Sequence, residues 1–220
     1  NGERMNKDKY LEKNISKHPA IELLKRLGYT YIPPKDCKQL RGSTYQVLLK
    51  GILRNQLRRL NRFEFGGVEQ EFSSANIERA IDELDEPLTD GLIKTNEKIY
   101  DALMLGRSYP ETVGGGKVLS FDLKYIDWEN IENNVFHLTE EFAVTSSDGE
   151  YMARPDIVLF VNGIPFAVIE CKAPVNDVSQ GIEQMNRNQQ KDCIPQLFKY
   201  VQLVMSTNKN FVKYATAGTQ

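Results

Sequence analysis

The chain has 220 residues, 40% of them hydrophobic and 26% charged, with 28 Lys and Arg against 30 Asp and Glu and a formal net charge of −2. That is enough apolar material for one sizeable core, and the near-neutral balance excludes a uniformly basic nucleic-acid binder while leaving room for a local basic face. Cys37, Cys171 and Cys193 are odd in number, widely spaced and without a CxxC pair, which argues against a disulfide scaffold or zinc site and for a reducing, cytoplasmic setting. No run approaches the roughly 18 apolar residues of a membrane span. The N-terminal NGERMNKDKY lacks the apolar centre of a signal peptide. KYATAGTQ ends the chain without a helix cap or a polar tail, so the sequence reads as a single domain over 1–220 cut from a longer protein.

In chain order, SKHPAIELLKRLGYTYI (16–32) predicts a helix, with Pro19 in its first turn, Leu23, Leu24 and Leu27 on an apolar face and Gly28 as its stop. TYQVLLKGILRNQLRRLNRF (44–63) predicts a second, burying Val47, Leu48, Ile52, Leu57 and Leu60. SSANIERAIDEL (73–84) predicts a third. The period then changes. KVLSFDLKYIDW (117–128) alternates as a strand does, and NNVFHLTEEFAVT (133–145) predicts another before the turn SSDGE. Two apolar strands joined at Asn162-Gly163 follow, then a polar helix over 177–190 and a strand over 197–207. Helices first, strands next, then helix and strand describe an α/β (α+β) sheet with helices packed on it.

The hairpin RPDIVLFVNGIPFAVIECKAP (154–174) poses the main chemical question. Its strands read as continuous apolar runs, as central strands covered on both faces do, yet Asp156, Glu170 and Lys172 stand on their rims. A buried carboxylate is costly unless it is paired or bound to a metal. Two carboxylates brought together repel, and a divalent cation converts that repulsion into ligation; hard oxygen ligands suit Mg²⁺. Lys172, two residues after the second acid, is placed to offset charge on a phosphate or to orient water.

The register makes this testable. A plain two-residue turn at Asn162-Gly163 puts Asp156 opposite Ile169, with Glu170 facing the other way. A three-residue turn over Val161–Gly163 pairs Asp156 with Val168 and leaves Glu170 a same-face diagonal neighbour at roughly 5–8 Å. A metal bridge therefore requires an odd turn or a nearby bulge. Without the metal, the same residues reduce to a strand-end ion pair.

This stretch closely resembles the signature of the PD-(D/E)xK nucleases, and more narrowly the nuclease domain of the R (restriction) subunit of type I restriction-modification enzymes. The likeness extends to LLKRLGYTYI, LRRLNRF, YIDWENIENNVF and IPQLFKYVQLVMST, in order across most of the chain, and the Asn-Gly-Ile-Pro turn is its most specific element. The resemblance implies a restriction-endonuclease-like core with a central mixed sheet flanked by helices. It also implies Mg²⁺-dependent cleavage of double-stranded DNA, with Mn²⁺ as a substitute metal. Asp156 and Glu170 would be the metal ligands, helped by the backbone carbonyl of Cys171, and Lys172 the catalytic lysine. Gln184 matches the glutamine of the family's Q-x-x-x-Y motif, but Asn188 stands where its tyrosine belongs.

As further implications, separate S and M subunits would supply specificity and methylation. An ATP-driven motor would lie beyond residue 220, so that ATP and S-adenosylmethionine belong to the full complex. Related nucleases place a further carboxylate on the first helix, for which Glu12 and Glu22 are candidates. Two rivals remain: a RecB-like repair or recombination nuclease of the same superfamily, and a DNA-binding or docking module whose site has decayed.

Lys50, Arg54, Arg58 and Arg62 recur every four residues and predict one basic stripe on the second helix, a candidate DNA contact. VGGGKVLS (113–120) fails as a phosphate loop, because position 111 is Glu and position 118 is Val. His18 and His137 have no nucleophile near them in sequence.

Overall fold

The computed structural model describes residues 12–219. A π-helical turn (Glu12–Lys17) leads into α1 (His18–Arg26), followed by β1 (Thr30–Tyr31) and α2 (Pro34–Arg41). Next come α3 (Lys50–Leu60), the hairpin of β2 (Arg62–Phe65) and β3 (Val68–Glu71), α4 (Ser74–Leu84) and α5 (Leu92–Leu105). A second hairpin, β4 (Arg107–Val113) with β5 (Lys117–Leu123), precedes β6 (Phe136–Glu140) and the short pair β7 (Val144–Thr145) and β8 (Met152–Ala153). The chain continues with β9 (Ile157–Val161), β10 (Ile164–Cys171), α6 (Ser179–Asn188), α7 (Pro195–Phe198), β11 (Leu203–Thr207) and β12 (Val212–Ala215).

Six strands form the central sheet in the order β1-β6-β9-β10-β11-β12. β1 with β6 and β10 with β11 are parallel; the other pairs are antiparallel. The α/β class with a central mixed sheet flanked by helices therefore stands. β9 is apolar throughout, and β10 apart from Glu170, because each face is covered. Ile157, Leu159, Ala167 and Ile169 pack with Ile21 of α1, while Val158, Phe160 and Val168 join the larger core with Leu53 and Leu57 of α3 and Ile77 and Ile81 of α4. Asp156, Glu170 and Lys172 have the parity of the second face.

Several elements depart from the expected ones. The first helix stops at Arg26, and Gly28 (φ +100°) turns the chain so that Thr30 and Tyr31 enter the sheet as β1. The second helix begins only at Lys50 and ends at Leu60; Arg62 and Phe63 belong to β2. The predicted strand over 197–207 starts late, because Pro195 opens a short helix and only Leu203–Thr207 pair. The strand over 117–128 ends at Leu123, and that over 133–145 is two pieces, β6 and β7. The third helix and the polar helix over 177–190 are close to prediction, the former capped by the Ser73 hydroxyl on the Asn76 amide.

The Asn162-Gly163 turn is a buried anchor rather than a surface tip. Asn162 (φ +53°) and Gly163 (φ +85°) are both left-handed, as a two-residue hairpin turn demands. Asn162 is 0% exposed and uses both ends of its amide. Its oxygen accepts from Gln56 Nε2 (3.0 Å) and the Val135 amide (2.9 Å). Its nitrogen donates to Tyr125 O (2.9 Å) and Asn134 Oδ1 (2.8 Å). Gly163 O accepts from Leu49 N at 2.9 Å, and a Cβ on Gly163 would stand 2.8 Å from Leu49 O and 3.0 Å from Leu53 N. Glycine is required there both by conformation and by the close approach of α3.

Candidate active site

The turn spans two residues, with Val161 opposite Ile164, so the three-residue alternative is corrected. The offset comes instead from a bulge: Pro165 pairs with Phe160 but Ala167 with Leu159, leaving Phe166 as the extra residue. The shift runs in the opposite sense to the one a three-residue turn gives. Val168 meets Val158 and Ile169 meets Ile157, and one further step sets Asp156 across from Glu170. The two carboxyls are close enough for each to shift the titration of the other.

Both acids are deeply buried, at 9% and 1% exposure. Asp156 Oδ2 accepts from the Cys171 amide at 2.9 Å, and Oδ1 lies 3.8 Å from Lys17 Nζ. Lys172 Nζ is 3.5 Å from Glu170 Oε2 and donates to Gln184 Oε1 at 2.9 Å. Gln184 thus reaches the site from α6. The backbone of Lys172 is clamped on both sides, its N–H donating to Thr207 O at 2.7 Å and its carbonyl accepting from the Ser16 hydroxyl at 2.7 Å. Glu170 Oε1 is buried without a hydrogen-bond partner among the described residues.

The electrostatics follow from this packing. Burial pushes the Glu170 carboxyl well above the usual carboxylate range, and the charge of Asp156 adds to the shift. Burial also raises Asp156, against the pull of the Cys171 amide, Lys17 and Lys172. Both shifts disfavour the doubly ionised pair, and a divalent cation between the carboxylates would offset them. Among the described residues no three His, Cys, Asp or Glu side chains cluster to hold a metal. An ion here would take two carboxylates and complete its shell from backbone carbonyl, solvent and substrate oxygen, a donor set that fits Mg²⁺ and not zinc. The orphaned Glu170 oxygen supplies a vacant acceptor for it.

Two contributors are not visible in the sequence pattern. Lys17, 5% exposed, hydrogen-bonds Glu141 and lies 3.5 Å from Glu140. Burial works against its charge, but Glu141, Asp156 and Glu140 overcome it and raise its pKa. Gly181 lets α6 lie directly on the sheet, since a Cβ there would collide with Ser206 and approach Glu170 Cβ to 3.2 Å. A lone glycine inside a polar helical pattern is the one signal that marks it.

Other candidates fall elsewhere. Glu22 is exposed and pairs with Lys25 at 2.9 Å; the side chain of Glu12 lies outside the described residues. Asn188 is buried, and its oxygen accepts from the Tyr151 hydroxyl at 2.9 Å. The expected basic stripe is broken up. Arg62 leaves the helix and pairs with Glu71 at 2.7 Å, Arg54 grips Glu78 through two N–H groups, Lys50 lies 3.7 Å from Asp85, and Arg58 donates to the Ser74 hydroxyl. Acids of α4 and its C-terminal end neutralise most of that face.

Residues 9–220 match the family model described as the type I restriction enzyme R protein N terminus. The chain belongs to that family. Its fold is the mixed α/β, restriction-endonuclease-like core expected of such an R-protein N terminus. A Methanocaldococcus jannaschii protein with a provisional name as a type I restriction enzyme endonuclease subunit is 28% identical over 226 residues, covering 98% of this chain and 20% of its own length. The HindI endonuclease subunit of Haemophilus influenzae is 25% identical over 201 residues, 89% of this chain and 18% of the relative. The EcoprrI endonuclease subunit of Escherichia coli is 24% identical over 209 residues, 94% of this chain and 59% of the relative. The chain thus spans about a fifth of the first two of these proteins. The match favours the type I reading over a RecB-like repair nuclease. No helix among the described residues is long and apolar enough to cross a membrane.

Proposed function

We propose that this R-protein N terminus is a Mg²⁺-dependent nuclease domain that hydrolyses phosphodiester bonds of double-stranded DNA within a type I restriction complex containing M and S subunits. The carrying observation is the buried Asp156–Glu170 pair, set face to face by the Phe166 bulge, with an unpartnered Glu170 oxygen and a lysine held beside it.

Asp156 and Glu170 would hold the ion, with the Cys171 carbonyl as the backbone ligand. A divalent ion there supplies Lewis-acid polarisation of the scissile phosphate and lowers the pKa of water. The Cys171 amide fixes one Asp156 oxygen, and the other, 3.8 Å from Lys17 Nζ, would be the one to meet the ion. Lys172 is positioned to offset the negative charge that grows on phosphate oxygens as water attacks. Gln184 holds the lysine ammonium in place, and Ser16 and Thr207 fix its backbone. ATP and S-adenosylmethionine would be used elsewhere in the assembly.

Lys172→Ala in the full complex tests the assignment. DNA cleavage should fall by at least about a hundredfold, the scale of one lost electrostatic stabiliser, while DNA binding stays intact. Unchanged cleavage would favour a docking module with a decayed site.

A further inference from the structure

Beside the carboxylate site lies a groove of about 630 Å³ between α2 and the segment running from β6 to β8. Its charged lining residues are four basic, Lys35, Lys38, Arg41 and Arg154, and one acidic, Glu141. Glu141 is already bonded to Lys17, so the groove carries a net positive charge. Lys35 and Lys38 stand three residues apart, on one face of α2, and Arg154 is two residues from Asp156. All three are exposed, and none makes an ion pair or side-chain hydrogen bond among the described residues. Lys50, Arg54 and Arg62, by contrast, are spent on acids.

Arg41 forms the fixed floor. Its guanidinium lies 3.9 Å from the Phe142 ring centroid and donates to Gln46 O (2.8 Å) and Ala143 O (2.9 Å). Those acceptors are neutral carbonyls, so its charge is not cancelled by a carboxylate. The groove also connects to the chemistry. Glu141 lines it and bonds Lys17, whose ammonium is 3.8 Å from Asp156, and the Glu141 amide donates to Asp156 O at 3.0 Å.

We propose that Lys35, Lys38 and Arg154 form the phosphate-binding track that seats the DNA backbone next to the scissile bond. The proposal rests on the nuclease reading and adds the surface that delivers the substrate. A row of exposed, unpaired cations above a buried, uncompensated arginine fits a polyanion with regularly spaced charges. Phosphate contacts of this kind position a duplex without reading its sequence.

The test is duplex binding by the 220-residue chain, followed by fluorescence anisotropy in EDTA across about 50–200 mM salt. Each lost phosphate contact lowers the slope of log K against log salt by about 0.9. Lys35→Ala/Lys38→Ala/Arg154→Ala should therefore flatten the slope by up to about 2.7 and weaken binding roughly tenfold or more near 0.1 M salt. Lys50→Ala/Arg54→Ala/Arg62→Ala, at the cations already paired with acids, should leave both unchanged. An unchanged slope in the groove variant, or no duplex binding by the unaltered chain, overturns the proposal. So does equal binding of poly-glutamate with the same loss, which would assign the groove to an acidic protein segment. Asp156→Ala separates the two readings, since it should abolish cleavage and keep duplex affinity. Cleavage that survives it would sink the nuclease site and leave the groove standing.

Discussion

Lys17 Nζ lies 3.8 Å from Asp156 Oδ1, on the oxygen left over once the Cys171 amide has taken Oδ2. A lysine brought from the turn before α1 therefore shares the carboxylate that a metal would use. It favours the ionised form of Asp156, yet as a like charge it opposes a divalent cation. Lys17→Met should move the pH midpoint of Mn²⁺ binding upward and raise the plateau affinity at high pH several-fold, as removal of a nearby like charge does. Titration calorimetry at a series of pH values measures both. An unmoved midpoint would show that Lys17 serves only Glu140 and Glu141.

The Glu170 carboxyl has a raised pKa in the folded chain, chiefly through burial and then through Asp156. The folded state then binds its proton more tightly than the unfolded state, so this group's penalty is absent below the unfolded pKa of about 4.3 and grows as pH rises through the folded value. Glu170→Gln should accordingly raise the melting temperature in EDTA at pH 8 by a few degrees, about 1 kcal/mol for a domain of this size. The gain should vanish near pH 4. With saturating Mg²⁺ the order reverses, because only the unaltered chain gains from the ion.

Gln184 binds no substrate in this account; it holds Lys172 from α6 at 2.9 Å. In the full complex, Gln184→Ala should cut the cleavage rate about ten- to a hundredfold with little change in DNA affinity, while Gln184→Glu keeps an acceptor and retains more of it. Loss of affinity in place of rate would contradict a positioning role.

Asn162 satisfies four groups from inside the hairpin turn. Asn162→Ala leaves buried partners such as the Val135 amide unpaired, and should cost about 2–4 kcal/mol in urea unfolding. An exposed turn residue would cost a small fraction of that.

That Asp156, Glu170 and Lys172 converge was legible in the sequence, since an acid, an acid and a lysine on the rims of two paired apolar strands are brought together by the pairing. The hairpin's geometry was only half legible. That an odd turn or a nearby bulge was needed followed from the period of two, but which of them, and at which residue, did not, because the apolar side chain of Phe166 carries no mark of a bulge. The basic stripe failed for a different reason. A four-residue repeat specifies a helical face but not its neighbours, and Glu78, Asp82 and Asp85 arrive from sequence-distant positions to cancel it. α2 was invisible because only Cys37 and Arg41 of PKDCKQLR are buried. α5 was not among the expected elements, although LIKTNEKIYDALML between Gly91 and Gly106 buries Thr95, Ile99, Ala102 and Leu103 at helical spacing. Lys17 had no signal, because its partners lie 123 to 139 residues away and are brought near by the sheet alone.

The most direct test of a metal-dependent nuclease site is anomalous scattering from crystals soaked in millimolar Mn²⁺, comparing the unaltered chain with Asp156→Ala. A peak between Asp156 and Glu170, within ligand distance of the Glu170 oxygen that now has no partner and absent in the variant, is the predicted result. No peak, with the two carboxyls held only by Lys17 and Lys172, would contradict the account and leave the hairpin as an ion-paired relic.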